Sequence, residues 1–530
     1  MINLIPYPAH VREHSGKFRF SQNMTVWYDE ELEAVKPFFT EMLGCELEEQ
    51  KSANTDFIFV HNKRLGDEQY KLIITEKTVS VESASVLGAL YAIQSIRQLG
   101  QFDLDGDHEM PVVDIRDRPR FQWRGLAFDD ARHFFGKEEV KRRLDFMFLH
   151  KLNVFHWHLT DDQGWRIEIK KYPLLTQVGS KRKDTAINGW QNPKCEMMGK
   201  PHEGFYTQDD IREVVTYAAE RGIMIVPEID MPAHFLAAIA SYPWLACVDK
   251  PREVAVHFGG KKPIDKSIAC AGKETTYEFI YNVIDELCEL FPAPYLHIGG
   301  DEAPKDEWKK CPKCQAVIKE NNLKNEEDLQ GYFTNKIRKY LLEKGKHLIG
   351  WNEILKADCI DKDTICQYWT PQRDPRVERF VASGGKVIMS KHQSFYFDLT
   401  YAERTLKATY MFEPSKQGIQ KENMNNVIGV EGESWSEWIL DREKLDVYSF
   451  PRIQALAEVA WTPSRKRDWK KFLLRWDNFK PVLRALGADY AEDAVCIPKW
   501  YKRLSHRIAF YYRDTYSEVK LNRNLKSKNR

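Results

Sequence analysis

The residues best suited to chemistry recur at the ends of short apolar runs. The most informative is His297-Ile298-Gly299-Gly300-Asp301-Glu302. Two glycines at a strand terminus let a ligand approach the backbone closely, and two adjacent carboxylates follow. Glycoside hydrolysis needs a protonated carboxylic acid beside the leaving oxygen. A second negative charge nearby raises the pKa of the first and helps it stay protonated. Neighbouring residues do not easily reach opposite sides of one glycosidic bond. The pair therefore suggests one acid and one positioning group, with the nucleophile supplied elsewhere.

Three other groups carry alternatives. His156-Trp157-His158 puts both imidazoles on one side of a strand, because side chains alternate with period two. Such a pair can bind a metal, but that chemistry wants further His ligands and usually a Lys from other strands. The runs ending at Trp351 and Trp369 offer none, so packing and hydrogen bonding of these histidines is the better reading. Asp230 to His234 could form a supporting His–carboxylate arrangement, or His234 could simply cap a loop. Cys311-Pro312-Lys313-Cys314 is one CxxC with no second pair at knuckle spacing, which favours a packed or locally redox-active pair over zinc. Cys247 and Cys270 flank a loop and could pair in an oxidising compartment.

Eight candidate strands position these groups, beginning near Trp123, Asn153, Ile223, Tyr295, His347, Thr364, Lys386 and Val427. Helical periodicity appears between them: Lys137 to His150, a segment capped by Thr207 and Asp210, the run through Ile280 to Leu290, and Pro451 to Trp461. Strands alternating with helices predict a (β/α)8 barrel with its chemistry where the strands end. An open doubly wound sheet would want a Gly-rich phosphate turn after its first strand, and none is found. Every predicted strand end carries carboxylates, a Trp or a Tyr: Asp129-Asp130, Asp161-Asp162, Glu228 and Asp230, Asp301-Glu302, Trp351, Trp369, Tyr396 with Asp398, and Trp435 with Glu437. This acidic, Trp-walled cup suits a neutral polyhydroxylated ligand and suits phosphate poorly. Arg124 and Arg132 are the cationic exceptions; at the start of its strand, Arg124 also reads as half of a structural salt bridge.

Residues 1–117 predict a small α+β domain, with a hairpin at Tyr70 to Val81, a helix from Ala84 to Leu99, and a boundary marked by Pro111, Pro119 and the charged run Asp114 to Arg118. The barrel is assigned to 118–465, and 466–530 to a basic helical extension, read as a solvated helix with a frayed tail, or less simply as a nucleic-acid arm. The 530 residues carry 79 Lys plus Arg against 78 Asp plus Glu, a net charge of +1 that argues against nucleic acid or an acidic membrane as main partner. No run is apolar for long enough to span a bilayer. The start at Met1 shows no secretory pattern, which implies the cytoplasm if Met1 is native and export if a leader has been removed. The 15 Trp are compatible with core packing as well as with sugar-stacking surfaces.

The chain resembles the family 20 glycoside hydrolases, whose best-known members are exo-β-N-acetylhexosaminidases. The resemblance runs to about residue 465. It rests on Trp123-Arg124-Gly125-Leu126 with Asp129 and Arg132-His133-Phe134, on His156 to Arg166, on Pro227 to His234, and on His297 to Glu302, followed by Trp351, Trp369, Tyr396, Asp398, Trp435 and Glu437. It implies a substrate-assisted retaining mechanism on terminal β-linked GlcNAc or GalNAc, without metal or cofactor. By match, Glu302 is the general acid and then base, and Asp301 orients the 2-acetamido group, whose oxygen is the nucleophile. Tyr396 donates to that oxygen. Trp351, Trp369 and Trp435 wall the pocket, and Arg124 and Glu437 hold ring hydroxyls. Asp161 or Asp162, with His234, supports Glu302. Asp130 departs from the small or apolar residue many members carry, and the Glu431–Glu437 segment has unusual filler. The Cys247–Cys270 loop and Asn188-Gly189-Trp190 are where specificity would diverge, leaving sulfated GlcNAc, disaccharide release, or a non-catalytic sugar-binding barrel as alternatives. The oligomeric state stays open, a homodimer among the options.

Overall fold

The computed structural model describes residues 2–21, 23–187, 196–258, 267–509 and 517–528. Eight parallel strands close into a barrel: β1 (Trp123–Asp129), β2 (Val154–His158), β3 (Met224–Glu228), β4 (Tyr295–His297), β5 (His347–Trp351), β6 (Ile365–Tyr368), β7 (Lys386–Met389) and β8 (Val427–Ser434), with β8 pairing back onto β1. Each begins within one residue of its predicted start. Parallel strands covered on both faces read as apolar runs with abrupt polar ends, which is why their limits are legible. The intervening helices include Lys137–Leu149, Gln208–Glu220, Glu274–Leu290 and Arg452–Trp461. Thr207 and Asp210 form the predicted capping box.

Period-two alternation stacks the barrel interior in layers. Trp123, Val154, Val226, Ile349, Ile365 and Ile388 form an apolar plug at the N-terminal end. Two residues further along, the inward positions turn polar: His156, Glu228, Trp351, Gln367 and Glu431. This layer is a lattice of paired groups. Glu228 receives His158 Nδ1 at 2.5 Å and the Trp351 indole at 3.0 Å, and it lies 2.8 Å from His297 Nδ1, which accepts from the Gly299 amide at 3.0 Å. Glu431 receives His156 Nδ1 at 2.8 Å, the Trp123 indole at 2.6 Å and Gln367 at 2.6 Å. Buried carboxylates paired in this way make a rigid floor, since breaking one pair strands the other charge.

The N-terminal residues form a seven-stranded sheet covered by the helix Val86–Gly100, whose cap is Ser85. The hairpin is present as Tyr70–Ile74 against Val79–Ser83. The charged run expected to mark a boundary forms the end of a strand, Glu109–Asp117, paired with His10–Arg19 and Tyr70–Ile74. Its charges alternate with buried Val113, Ile115 and Asp117, so the run is one exposed face of a strand. Asp117 joins the sheet to the barrel, accepting from Tyr70 at 2.7 Å and from the Trp461 indole at 2.9 Å.

The C-terminal extension differs from the solvated helix expected. Trp469–Ala485 buries Phe472, Trp476, Phe479 and Leu483, and Arg475 reaches Glu458 of the barrel helix at 2.6 Å. Its basic residues mask an apolar stripe. Trp500–Ala509 and Ser517–Lys528 complete the chain's described helices, and Arg530 lies outside the described residues.

Candidate active site

The loop after β4 carries Asp301 and Glu302 on a backbone that few sequences tolerate. Gly299 and Gly300 have φ of +65° and +94°. A Cβ on Gly299 would lie 1.8 Å from Asp230 Oδ1, so glycine is required for the loop to pass over the loop after β3. Glu302 itself has φ +48°, and His234 on the neighbouring loop has φ +50°. Two non-glycine residues held in this region, facing each other, are strain kept by their surroundings.

His234 is the hub. Its Nε2 lies 3.6 Å from Glu302 Oε2 and 3.8 Å from Asp301 Oδ2, while Nδ1 lies 3.3 Å from Asp161 Oδ1 and 3.9 Å from Asp162 Oδ2. Of the two aspartates named from sequence, Asp161 is therefore the partner. Asp162 accepts from the Leu236 amide at 3.0 Å and so holds the start of a helix. Burial works against a charged imidazole, yet Asp161, Glu302 and Asp230 together push His234 well above the ordinary histidine pKa. The neighbouring His234 lowers Glu302 in turn. Asp301 is pushed up to about 7, first by burial and then by Glu302, Glu353 and Glu228, against the lowering effect of His234. Glu302 has 60% of its side chain exposed at the mouth of the cup, against 18% for Asp301.

An aromatic wall faces these groups. Trp351 and Trp435 ring centroids are 5.8 Å apart, Trp435 and Tyr396 6.2 Å, and Tyr396 and Trp369 6.0 Å in a stacked arrangement. Asp301 Oδ1, Trp369 Nε1, Asp398 Oδ1 and Glu437 Oε2 are buried with no hydrogen-bond partner among the described residues. Burying a polar atom unpaired costs about 1–3 kcal/mol, so four of them around one cup mark hydrogen-bonding capacity reserved for a ligand.

Arg124 does not belong to this cup. It lies at the N-terminal end of β1, where Nη2 bonds the Tyr91 hydroxyl at 2.8 Å and Glu68 at 2.5 Å, and Nε bonds Lys151 O at 2.8 Å. It fastens the N-terminal sheet module to the barrel floor. The cup's arginine is Arg132, just past the other end of the same strand. Its Nη2 lies 2.7 Å from Asp161 and its Nη1 3.2 Å from Asp129, and its guanidinium covers Trp435 at 5.1 Å. The signal available in sequence was position alone: Arg132 follows the strand end, and Arg124 precedes it. Asp130 also turns away from the cup, sealed by the Trp157 indole at 2.7 Å and the Tyr206 hydroxyl at 2.8 Å, and burial raises it to about 7.

Two specificity segments fall partly or wholly outside the description. Asn188-Gly189-Trp190 lies outside the described residues, as do 259–266 of the loop between Cys247 and Cys270.

The family description "Glycosyl hydrolase family 20, catalytic domain" matches residues 121–464, and "Glycosyl hydrolase family 20, domain 2" matches residues 1–118. A β-hexosaminidase of Porphyromonas gingivalis is 35% identical over 516 residues, covering 92% of this chain and 64% of that protein. The crystal structure of a GH20 exo-β-N-acetylglucosaminidase from Vibrio harveyi in complex with N-acetylglucosamine superposes with a TM-score of 0.82 at 32% identity, over 92% of this chain and 78% of that one. A β-N-acetylhexosaminidase structure from Bacteroides fragilis gives a TM-score of 0.80 at 31% identity, over 92% of this chain and 96% of that one.

Proposed function

This chain belongs to glycosyl hydrolase family 20, and we propose that it is an exo-acting β-N-acetylhexosaminidase that hydrolyses terminal β-linked N-acetylhexosamine with retention, through an oxazolinium intermediate. One observation carries the mechanism: Asp301 and Glu302 both converge on the same nitrogen, His234 Nε2, at 3.8 and 3.6 Å. Two-carboxylate glycosidases set their acid and nucleophile on opposite sides of the scissile bond, about 5–9.5 Å apart. Asp301 and Glu302 follow one strand and lean on one imidazole, which supports a nucleophile supplied by the substrate, for which a 2-acetamido oxygen is chemically suited.

In this reading Glu302 protonates the leaving oxygen and then activates water. Asp301 accepts from the acetamido N–H and offsets the charge on the oxazolinium ring. Tyr396 donates to the acetamido oxygen, with Trp351, Trp369 and Trp435 around the methyl group and the sugar. Asp398, Glu437 and Arg132 bind hydroxyls of the terminal ring, Arg132 taking the role expected of Arg124. The decisive assay compares 4-nitrophenyl β-GlcNAc with 4-nitrophenyl β-glucoside. Turnover of the first alone, with strong inhibition by a thiazoline mimic, supports substrate assistance; equal turnover of both overturns it.

A further inference from the structure

We propose that Cys247, Cys270, Cys311 and Cys314 form a structural zinc site that ties together the two loops carrying the catalytic groups. The four sulfurs lie within 4.8 Å of one another. Cys247 to Cys314 and Cys270 to Cys311 are both 3.8 Å, and Cys270 to Cys314 is 3.7 Å. A Zn–S bond of about 2.3 Å sets tetrahedral S···S edges of about 3.8 Å. Cys270 and Cys314 each touch two other sulfurs at this spacing, a pattern that pairing into disulfides cannot produce, since each sulfur then bonds one other. Four thiolates in a tetrahedron favour zinc among the common ions.

The surroundings are built around the cluster. Cys311 precedes, and Cys314 lies in the first turn of, the helix Pro312–Glu320. The second pair is absent from local sequence and is delivered by the fold, through a bridge between Ala246 and Ala269 and the bond from Cys270 N to Leu245 O at 2.8 Å. A Cβ on Gly272 would lie 2.4 Å from Cys314 N, so a glycine there lets the two segments close on each other. Four thiolates and one Zn²⁺ leave a double negative charge, and the Lys273 ammonium is fixed nearby on Trp244 O and Ala246 O at 2.9 and 2.6 Å. Trp308, fully buried, bonds Ala269 O at 3.0 Å and seals the inner side.

Two of the ligands follow β3 and two follow β4. Ala269 N bonds Pro232 O at 2.9 Å, inside the Asp230–His234 loop, and Cys311 ends the short helix Asp306–Lys310 that leads on from Asp301 and Glu302. The metal thus fixes the spacing between His234 and its two carboxylates without touching substrate.

The test is elemental analysis of the full chain purified without chelator under reducing conditions. About one zinc per chain is expected, lost in Cys270→Ser and Cys314→Ser and retained in Cys366→Ser, a buried cysteine outside the cluster. Cobalt exchanged into the site should give the intense visible bands of a tetrahedral thiolate, and stripping the metal should lower Tm, with zinc restoring it. These readouts do not depend on glycosidase activity, so their failure is separable from failure of the proposed reaction. The proposal is overturned if the native chain binds no zinc while its four thiols titrate freely, if mass spectrometry recovers the four sulfurs as two disulfides, or if stoichiometric iron replaces zinc.

Discussion

The Nε2 of His234 stands 3.6 Å from the Oε2 of Glu302. With His234 raised and Glu302 lowered, the proton of this pair rests on the imidazole before substrate arrives. A sugar entering the cup covers the exposed Glu302 carboxylate, and desolvation then favours its neutral form. In the proposed reaction His234 and Asp161 thus act as a proton reservoir for Glu302, which is open to water only in the empty cup.

Glu302→Gln removes the acid and leaves the shape. Turnover of substrates with poor leaving groups should fall about 10²–10⁴-fold. Aryl glycosides whose leaving group needs no proton should lose far less in the glycosylation step. The ratio of single-turnover rates for the two leaving-group classes checks this; an equal loss on both would assign Glu302 another role.

Asp301 must be ionised to accept from an amide and to offset a cation. Its pKa is raised to about 7, so kcat/KM for N-acetyl substrates should fall as pH drops through that value. Asp301→Asn should erase this limb and lower kcat/KM about 10²–10³-fold. The same shift has a stability consequence of opposite sense. A carboxyl raised above its unfolded pKa binds more protons in the native state, so it costs stability as pH rises from the unfolded value through about 7. Asp301→Asn should therefore have a higher Tm than wild type at pH values above 7, measured by calorimetry; a lower one would refute the assignment.

The two arginines of β1 separate binding from assembly. The seven-residue strand spans about 20 Å at about 3.3 Å per residue, which carries Arg124 and Arg132 to opposite ends of the barrel. Arg132→Lys keeps the charge but loses the planar fork shared between Asp161 and Asp129. It should raise KM and lower kcat with little change in Tm. Arg124→Ala leaves Glu68 without its buried partner and should cost about 3–5 kcal/mol, seen as a lower Tm, while kcat/KM of the folded fraction is kept.

The same strand shows what sequence can and cannot carry. Its limits were legible because a run buried on both faces ends abruptly in Asp129 and Asp130. The end of the barrel that each arginine occupies was carried by position alone, Arg124 at the strand's start and Arg132 beyond its end. The Glu109–Asp117 strand was hidden because its exposed face is charged, and the burial of the helix Trp469–Ala485 was hidden because lysines and arginines flank its aromatics. The cysteine cluster was illegible for a third reason. Its ligands come from two βα loops, and their meeting depends on β3 lying beside β4. The carboxylate pair, by contrast, was legible as a site because both residues follow one strand and two glycines.

Tyr396 gives the last test. Its phenol is buried and held well above the ordinary tyrosine pKa, first by burial and then by Glu433, Asp301 and Asp398, so it stays protonated throughout the working range. A protonated phenol has its hydroxyl hydrogen available to an acceptor. In the proposed reaction that acceptor is the acetamido oxygen, which the phenol aims at the anomeric carbon as it attacks. Tyr396→Phe keeps the ring contacts with Trp369 and Trp435 and removes one donor, so kcat should fall about 10²–10³-fold, as for loss of one preorganised donor. Because the phenol does not titrate below pH 10, the pH profile of kcat should keep its shape. A profile that changes shape, or a rate that stays within a factor of about three, would show that the oxygen is positioned by other groups.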